Sequence, residues 1–309
     1  MKIGLIDCDS HNYPNLALMK LSAWHKSQGD CAEWWSGFEH YDRIYMSRVF
    51  DSTYTPDPIE PINGDEVIKG GTGYGLDNKL PDEIEHMYPD YSLYPELTKD
   101  TAYGFLTRGC PMGCGFCVVG KKEGLCAKKV ADLSEWWRGQ KNIVLMDPNL
   151  LACPERMDLL QQLQDSRANV DVNQGFDIRL MTDEVVRKLN QIKIKNIHLA
   201  WDNPKDDLAS KFAWFSDIYR IKDYRRKMVY VLTNYGSTIK EDLYRIYTLR
   251  DLGYSPYVMV FDKPNASQEI CDLQRWCNSN RIFKRCPRFE DYVVSGHDEY
   301  EFETIGRLI

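Results

Sequence analysis

The sequence has no long hydrophobic run. Its first apolar stretch extends only from Ile3 to Ile6 before Asp7 and Asp9 interrupt it, too short for a signal peptide or a membrane-spanning helix. The expected compartment is therefore the cytoplasm, with no membrane partner. An excess of positive charge is also missing: 39 Lys and Arg stand against 46 Asp and Glu, a formal net charge of −7. That balance gives no general pull toward phosphate backbones, so nucleic acid is not an expected partner. The one stretch that interleaves aromatics with cations, residues 219–227, reads as a solvated helix end. With 43% hydrophobic and 28% charged residues, the composition excludes a disordered chain.

Cysteine, by contrast, is plentiful. Ten cysteines in 309 residues, with no export signal, argue against a disulfide framework and for metal ligation by some of them. Six of the ten, Cys8, Cys31, Cys153, Cys271, Cys277 and Cys286, are scattered without ligand spacing, as core-filling cysteines are.

The hydrophobic pattern predicts an α/β chain in three parts. Residues 1–98 read as a small Rossmann-like domain: a strand over 2–7, a helix near 15–28 ended by Gly29, and strands over 43–49 and 66–69, the last entering Gly70-Gly71-Thr72-Gly73-Tyr74-Gly75. Pro81, Pro89 and Pro95 mark a linker. Residues 99–286 alternate strand and helix six times, the pattern of a parallel sheet, with strands expected over 103–107, 142–147, 170–174, 196–202, 228–234 and 256–261. Six units suit a partial (β/α)6 barrel better than a closed one of eight. Residues 287–309, rich in Asp, Glu and Tyr, read as a C-terminal surface tail.

The chemistry is expected just past the first barrel strand, in Thr107-Arg108-Gly109-Cys110-Pro111-Met112-Gly113-Cys114-Gly115-Phe116-Cys117. Three thiolates spaced C-x3-C-x2-C converge on one centre only if the backbone wraps tightly, and Gly109, Gly113 and Gly115 permit this. Cys110, Cys114 and Cys117 are thus the candidate metal ligands. A [4Fe–4S] cluster held by three cysteines keeps one iron open. A zinc site or a ferredoxin-like centre with Cys126 as a fourth ligand is the competing reading.

This loop resembles the signature of the radical S-adenosylmethionine (SAM) superfamily, which has the same cysteine spacing and an aromatic residue, here Phe116, before the last cysteine. The resemblance implies a partial barrel, a [4Fe–4S] cluster and SAM as cofactors, and reductive cleavage of SAM to a 5′-deoxyadenosyl radical that abstracts hydrogen from a substrate. It also implies a low-potential donor such as flavodoxin or ferredoxin. The alternative is a non-catalytic iron–sulfur electron carrier or sensor. By the same resemblance, the adenine of SAM packs near Phe116 and Val118 to Gly120. Where family members often carry Gly-Gly-Glu to hold the SAM amine, this chain has Met146-Asp147-Pro148-Asn149, so Asp147 or Asn149 takes that place. Gln174, Asp177 and Arg179 end the third strand, with Arg179 expected on the SAM carboxylate and the other two on ribose hydroxyls. Asn234 ends the fifth strand and is expected at the pocket or in a turn.

The N-terminal part resembles the cobalamin-binding domain of one radical SAM class, in shortened form. Its Asp9-Ser10-His11 matches the start of the family's D-x-H-x-x-G, but Pro14 replaces the glycine. Hence no cobalamin is expected, and this part is expected to act as a lid or substrate platform.

Overall fold

The computed structural model describes residues 1–10, 12–51, 54–56 and 58–292. His11 of the Asp9-Ser10-His11 match, and the tail beyond 292, lie outside the described residues. The chain divides into two compact units, Met1–Gln174 with Gln191–Lys193, and Gly175–Asn190 with the chain from Ile194 onward.

The first unit opens with four strands, β1 (Lys2–Asp7), β2 (Cys31–Trp34), β3 (Arg43–Ser47) and β4 (Val67–Gly70), all parallel in the order β2-β1-β3-β4. Ile3, Gly4 and Leu5 of β1 are all buried, as in a strand covered on both faces. Gly4 has a local reason: a Cβ there would stand 3.2 Å from the Tyr41 ring. The helix Leu16–Ser27 starts on Asn15, whose side chain accepts from Leu18 N at 3.2 Å. It buries Leu18, Met19 and Leu21 against Ile3, Leu5, Ala32, Ile84 and Leu93.

The same unit continues through β5 (Thr101–Gly104) and a two-residue clip, β6 (Thr107–Arg108) antiparallel to β7 (Lys128–Lys129). β8 (Asn142–Leu145) and β9 (Asn169–Val172) then pair with β5 in a parallel sheet ordered β5-β8-β9. Tyr91, packed on the first core, links it to β5: its hydroxyl donates to Trp136 O at 2.7 Å and accepts from Tyr103 N at 3.3 Å.

The second unit carries a parallel sheet β10-β11-β12, formed by β10 (Ile197–Ala200), β11 (Lys227–Thr233) and β12 (Ser255–Val260). Its helix Ile239–Asp251 begins with a reciprocal cap between Thr238 and Glu241. Arg245 of that helix is fully buried, pairs with Asp242 at 2.5 Å, and donates to the carbonyls of Trp201, Asp202 and Leu232 at 2.6 to 2.9 Å. The segment after Pro287 begins docked: Phe289 is buried, and Glu290 accepts from Tyr247 at 2.9 Å. No helix among the described residues is long and apolar enough to cross a membrane.

Candidate metal centre

The cysteine loop runs from the end of β6 to the start of β7, so the strand pair clips its two ends together. Glu123 reinforces the clip, with Oε1 accepting from Arg108 Nη1 at 2.7 Å and Oε2 from Gly109 N at 2.9 Å. Cys110 N donates to Gly124 O at 3.2 Å, returning the chain to the same point. Gly109 has φ +83°, and a Cβ there would meet Cys126 O at 2.2 Å, so only glycine admits this close approach.

Beneath the loop lies Asp147, fully buried just past β8. Its carboxylate accepts from Thr107 N at 2.5 Å, Thr107 Oγ1 at 2.6 Å and Leu106 N at 3.1 Å. Burial raises its pKa to about 6, while these donors pull the other way. Asp147 therefore anchors the strand that launches the loop. Two residues on, Asn149 is buried, and its Nδ2 donates to Cys110 Sγ at 3.5 Å. The Oδ1 atom of Asn149 is buried with no hydrogen-bond partner among the described residues.

Cys110, Cys114 and Cys117 are each partly exposed, as are Phe116 and Gly120, and Val118 is 51% exposed. Among the described residues, no three His, Cys, Asp or Glu side chains stand close enough to grip a single ion. A cubane takes one thiolate per iron and does not ask for that closeness. Three soft thiolates on a clipped loop, one of them already accepting an amide hydrogen, form a donor set that fits an iron–sulfur cluster. Cys126 is exposed, and its thiol is directed at Ala127 O, 3.9 Å away.

Of the remaining candidates, Gln174 is exposed at the end of the first unit. Asp177, Arg179 and Asn234 belong to the second. Arg179 donates through Nε and Nη2 to the two oxygens of Asp177 at 2.9 and 2.8 Å, and lies 3.4 Å from Asp206. Asn234 occupies a left-handed turn at φ +61°, with Nδ2 donating to Phe261 O at 2.8 Å. Just past β10, burial raises the Asp202 pKa to about 6, against the pull of Arg245. Sequence reasoning missed Glu123 altogether, because one acid among the charges of a short helix carries no signal. It also missed the contact from Asn149 to the Cys110 sulfur.

No family model matches the chain, and no curated protein matches it. Among solved structures it is similar to the radical S-adenosylmethionine methyltransferase TsrM from Kitasatospora setae with cobalamin and a [4Fe–4S] cluster bound. The TM-score is 0.60 at 10% sequence identity, over 84% of this chain and 72% of that one. A second structure of that enzyme, with tryptophan substrate and the SAM analogue aza-SAM, aligns over 89% of this chain and 70% of that chain at 12% identity and a TM-score of 0.45. The first likeness shows a shared mixed α/β fold with parallel sheets.

Proposed function

We propose that this chain is a radical SAM enzyme, its [4Fe–4S] cluster held by Cys110, Cys114 and Cys117 and SAM bound beside it. The observation that carries the reading is the clipped cysteine loop with Asn149 at its back, on a chain sharing the fold of a radical SAM methyltransferase. When bound, the cluster supplies the electron that cleaves SAM into methionine and a 5′-deoxyadenosyl radical. The chain's own part is to hold and orient. Asp147 and Glu123 fix both ends of the loop, and the Asn149 amide stabilises the Cys110 thiolate by donating to it. Left unmet, the buried Asn149 Oδ1 costs about 1–3 kcal/mol. An amine N–H satisfies it, and the amine of SAM is the donor we assign. Phe116, Val118 and Gly120 are the assigned adenine contacts, Gln174 and Asp177 the ribose contacts, Arg179 the carboxylate partner, and Asn234 a pocket residue. The six strands β5 and β8 to β12 are assigned to a partial barrel, and residues 1–98 to a Rossmann-like domain.

We assign no cobalamin. Pro14 stands where the family's glycine would, and Asp9 is taken up by the loop after β3, accepting from Val49 N and Phe50 N, each at 2.8 Å. A Cβ on Gly71 or Gly73 would stand 2.3 Å from Arg48 O or 2.0 Å from Phe50 O, so these glycines serve the packing of one loop on another. Flavodoxin or ferredoxin is the assigned class of electron donor.

Anaerobic reconstitution tests the reading. About four irons per chain are expected, with an electron paramagnetic spectrum that changes on adding SAM and 5′-deoxyadenosine formed under a low-potential reductant. Cys114→Ala should lose the iron and keep the fold. A reduced cluster whose spectrum ignores SAM would instead identify an electron carrier, and a corrinoid spectrum retained by protein made with ample cobalamin would overturn the cobalamin assignment.

A further inference from the structure

The first unit contains a cavity of about 940 Å³ beside the loop clip; it shares Arg108 and Glu123 with the clip, and its other lining residues have no part in the proposed chemistry. Its partly exposed apolar lining comes from Leu16 of the first helix, Tyr45 of β3, Ile68 of β4 and Leu80. Its rim is cationic: Lys20, Lys69, Lys79, Arg108, Lys122 and Lys129 line it, against the carboxylates of Asp82, Glu85 and Glu123. Twice as many cations as acids, in a chain of net charge −7, make this a local reversal of sign.

Four of the cations are already neutralised. Lys20 pairs with Glu85 at 2.8 Å, Lys69 with Glu60 at 3.2 Å, Arg108 with Glu123 at 2.7 Å and Lys129 with Asp132 at 2.7 Å. Lys79 and Lys122 are not. Lys79 has no ion pair among the described residues, and Lys122 reaches only the Thr72 hydroxyl. Burial, then repulsion from Arg108 and Lys79, holds the Lys122 ammonium below its ordinary pKa. Like charges gathered beside an apolar wall destabilise the empty site, and an anion reverses that cost. A bare inorganic ion would leave the apolar lining uncovered, whereas pockets of roughly 300–1,000 Å³ with few polar groups are those that enclose organic ligands.

We propose that this cavity binds a small amphipathic anion, an apolar or aromatic body carrying one carboxylate, sulfonate or phosphate group. The anionic end lies on Lys79 and Lys122, and the body lies on Tyr45, Ile68 and Leu80. The site stands independently of the cluster assignment, because none of its contacts requires bound iron.

The probe is anilinonaphthalene sulfonate, an apolar dye with a single sulfonate, titrated by fluorescence into the full-length protein, with neutral N-phenylnaphthylamine as the control. One saturable site is expected, with affinity about ten-fold lower in Lys79→Glu/Lys122→Glu, the worth of a lost charge-assisted contact. Lys79→Gln, a change at an exposed position that does not threaten the fold, should lower it about three-fold and decides the matter if the double variant fails to fold. The neutral dye should bind these proteins with nearly equal affinity. Sulfonate binding that is unchanged in Lys79→Gln and in a folded double variant overturns the proposal, as does a neutral dye that binds as tightly as the anion and weakens in parallel.

Discussion

Asn149 faces two ways, and a single substitution there separates two effects. Asn149→Leu keeps the volume but removes both the donor to Cys110 and the buried acceptor. Iron content should hold while the affinity for SAM falls about ten-fold and the cluster's midpoint potential moves negative, because the thiolate loses a hydrogen bond. A SAM titration followed by paramagnetic resonance, and a redox titration, read the two. Asp147 makes a different statement. Its pKa rises from 3.8 to about 6, so the folded state holds the proton more tightly than the unfolded chain. The resulting stability is complete below about pH 4 and is lost as pH rises through about 6. Asp147→Asn should flatten that slope, as seen in denaturant unfolding of the iron-free chain at several pH values. The proposed cysteine ligands stand out in the sequence because their spacing is written on one short loop. The part played by Asp147 is not, since its partners are Leu106 and Thr107, about 40 positions away, and two of its three donors are backbone groups that any sequence supplies.

Among the elements, periodicity located those with a strong apolar face. The expected strand over 2–7 is β1, and the strand expected over 228–234 is β11. The strand β2 escaped notice because Cys31-Ala32-Glu33-Trp34 buries only Ala32, which leaves no alternation to read. The clip β6–β7 escaped for a simpler reason: two-residue strands have no period. In the second unit, Arg245 shows how a helix fastens the loops beside it. Arg245→Ala strips one partner from a buried ion pair and leaves the carbonyls of Trp201, Asp202 and Leu232 without their donor. The expected loss is about 3–5 kcal/mol, measured by chemical unfolding, and Arg245→Met with Asp242→Leu should recover only the part owed to the unpaired Asp242 charge.

At the scale of the molecule, residues 1–98 and the strands β5, β8 and β9 share one compact unit. Tyr91 donates to Trp136 O and accepts from Tyr103 N across the join, and His86 meets Glu135 at 2.9 Å. A chain beginning at Lys99 would expose that seam. It should be insoluble or fail to take up iron, an outcome scored by soluble yield and iron content; a soluble, cluster-bearing product would restore the picture of a removable lid. The clip at the base of the cysteine loop has a consequence for the protein's lifetime. Because the strand pair, Glu123 and Asp147 close the loop through protein contacts, the entropy of closure is met in folding, before iron arrives. On the proposed cluster assignment, iron stripped away by oxygen should then leave an intact socket, ready to be loaded again.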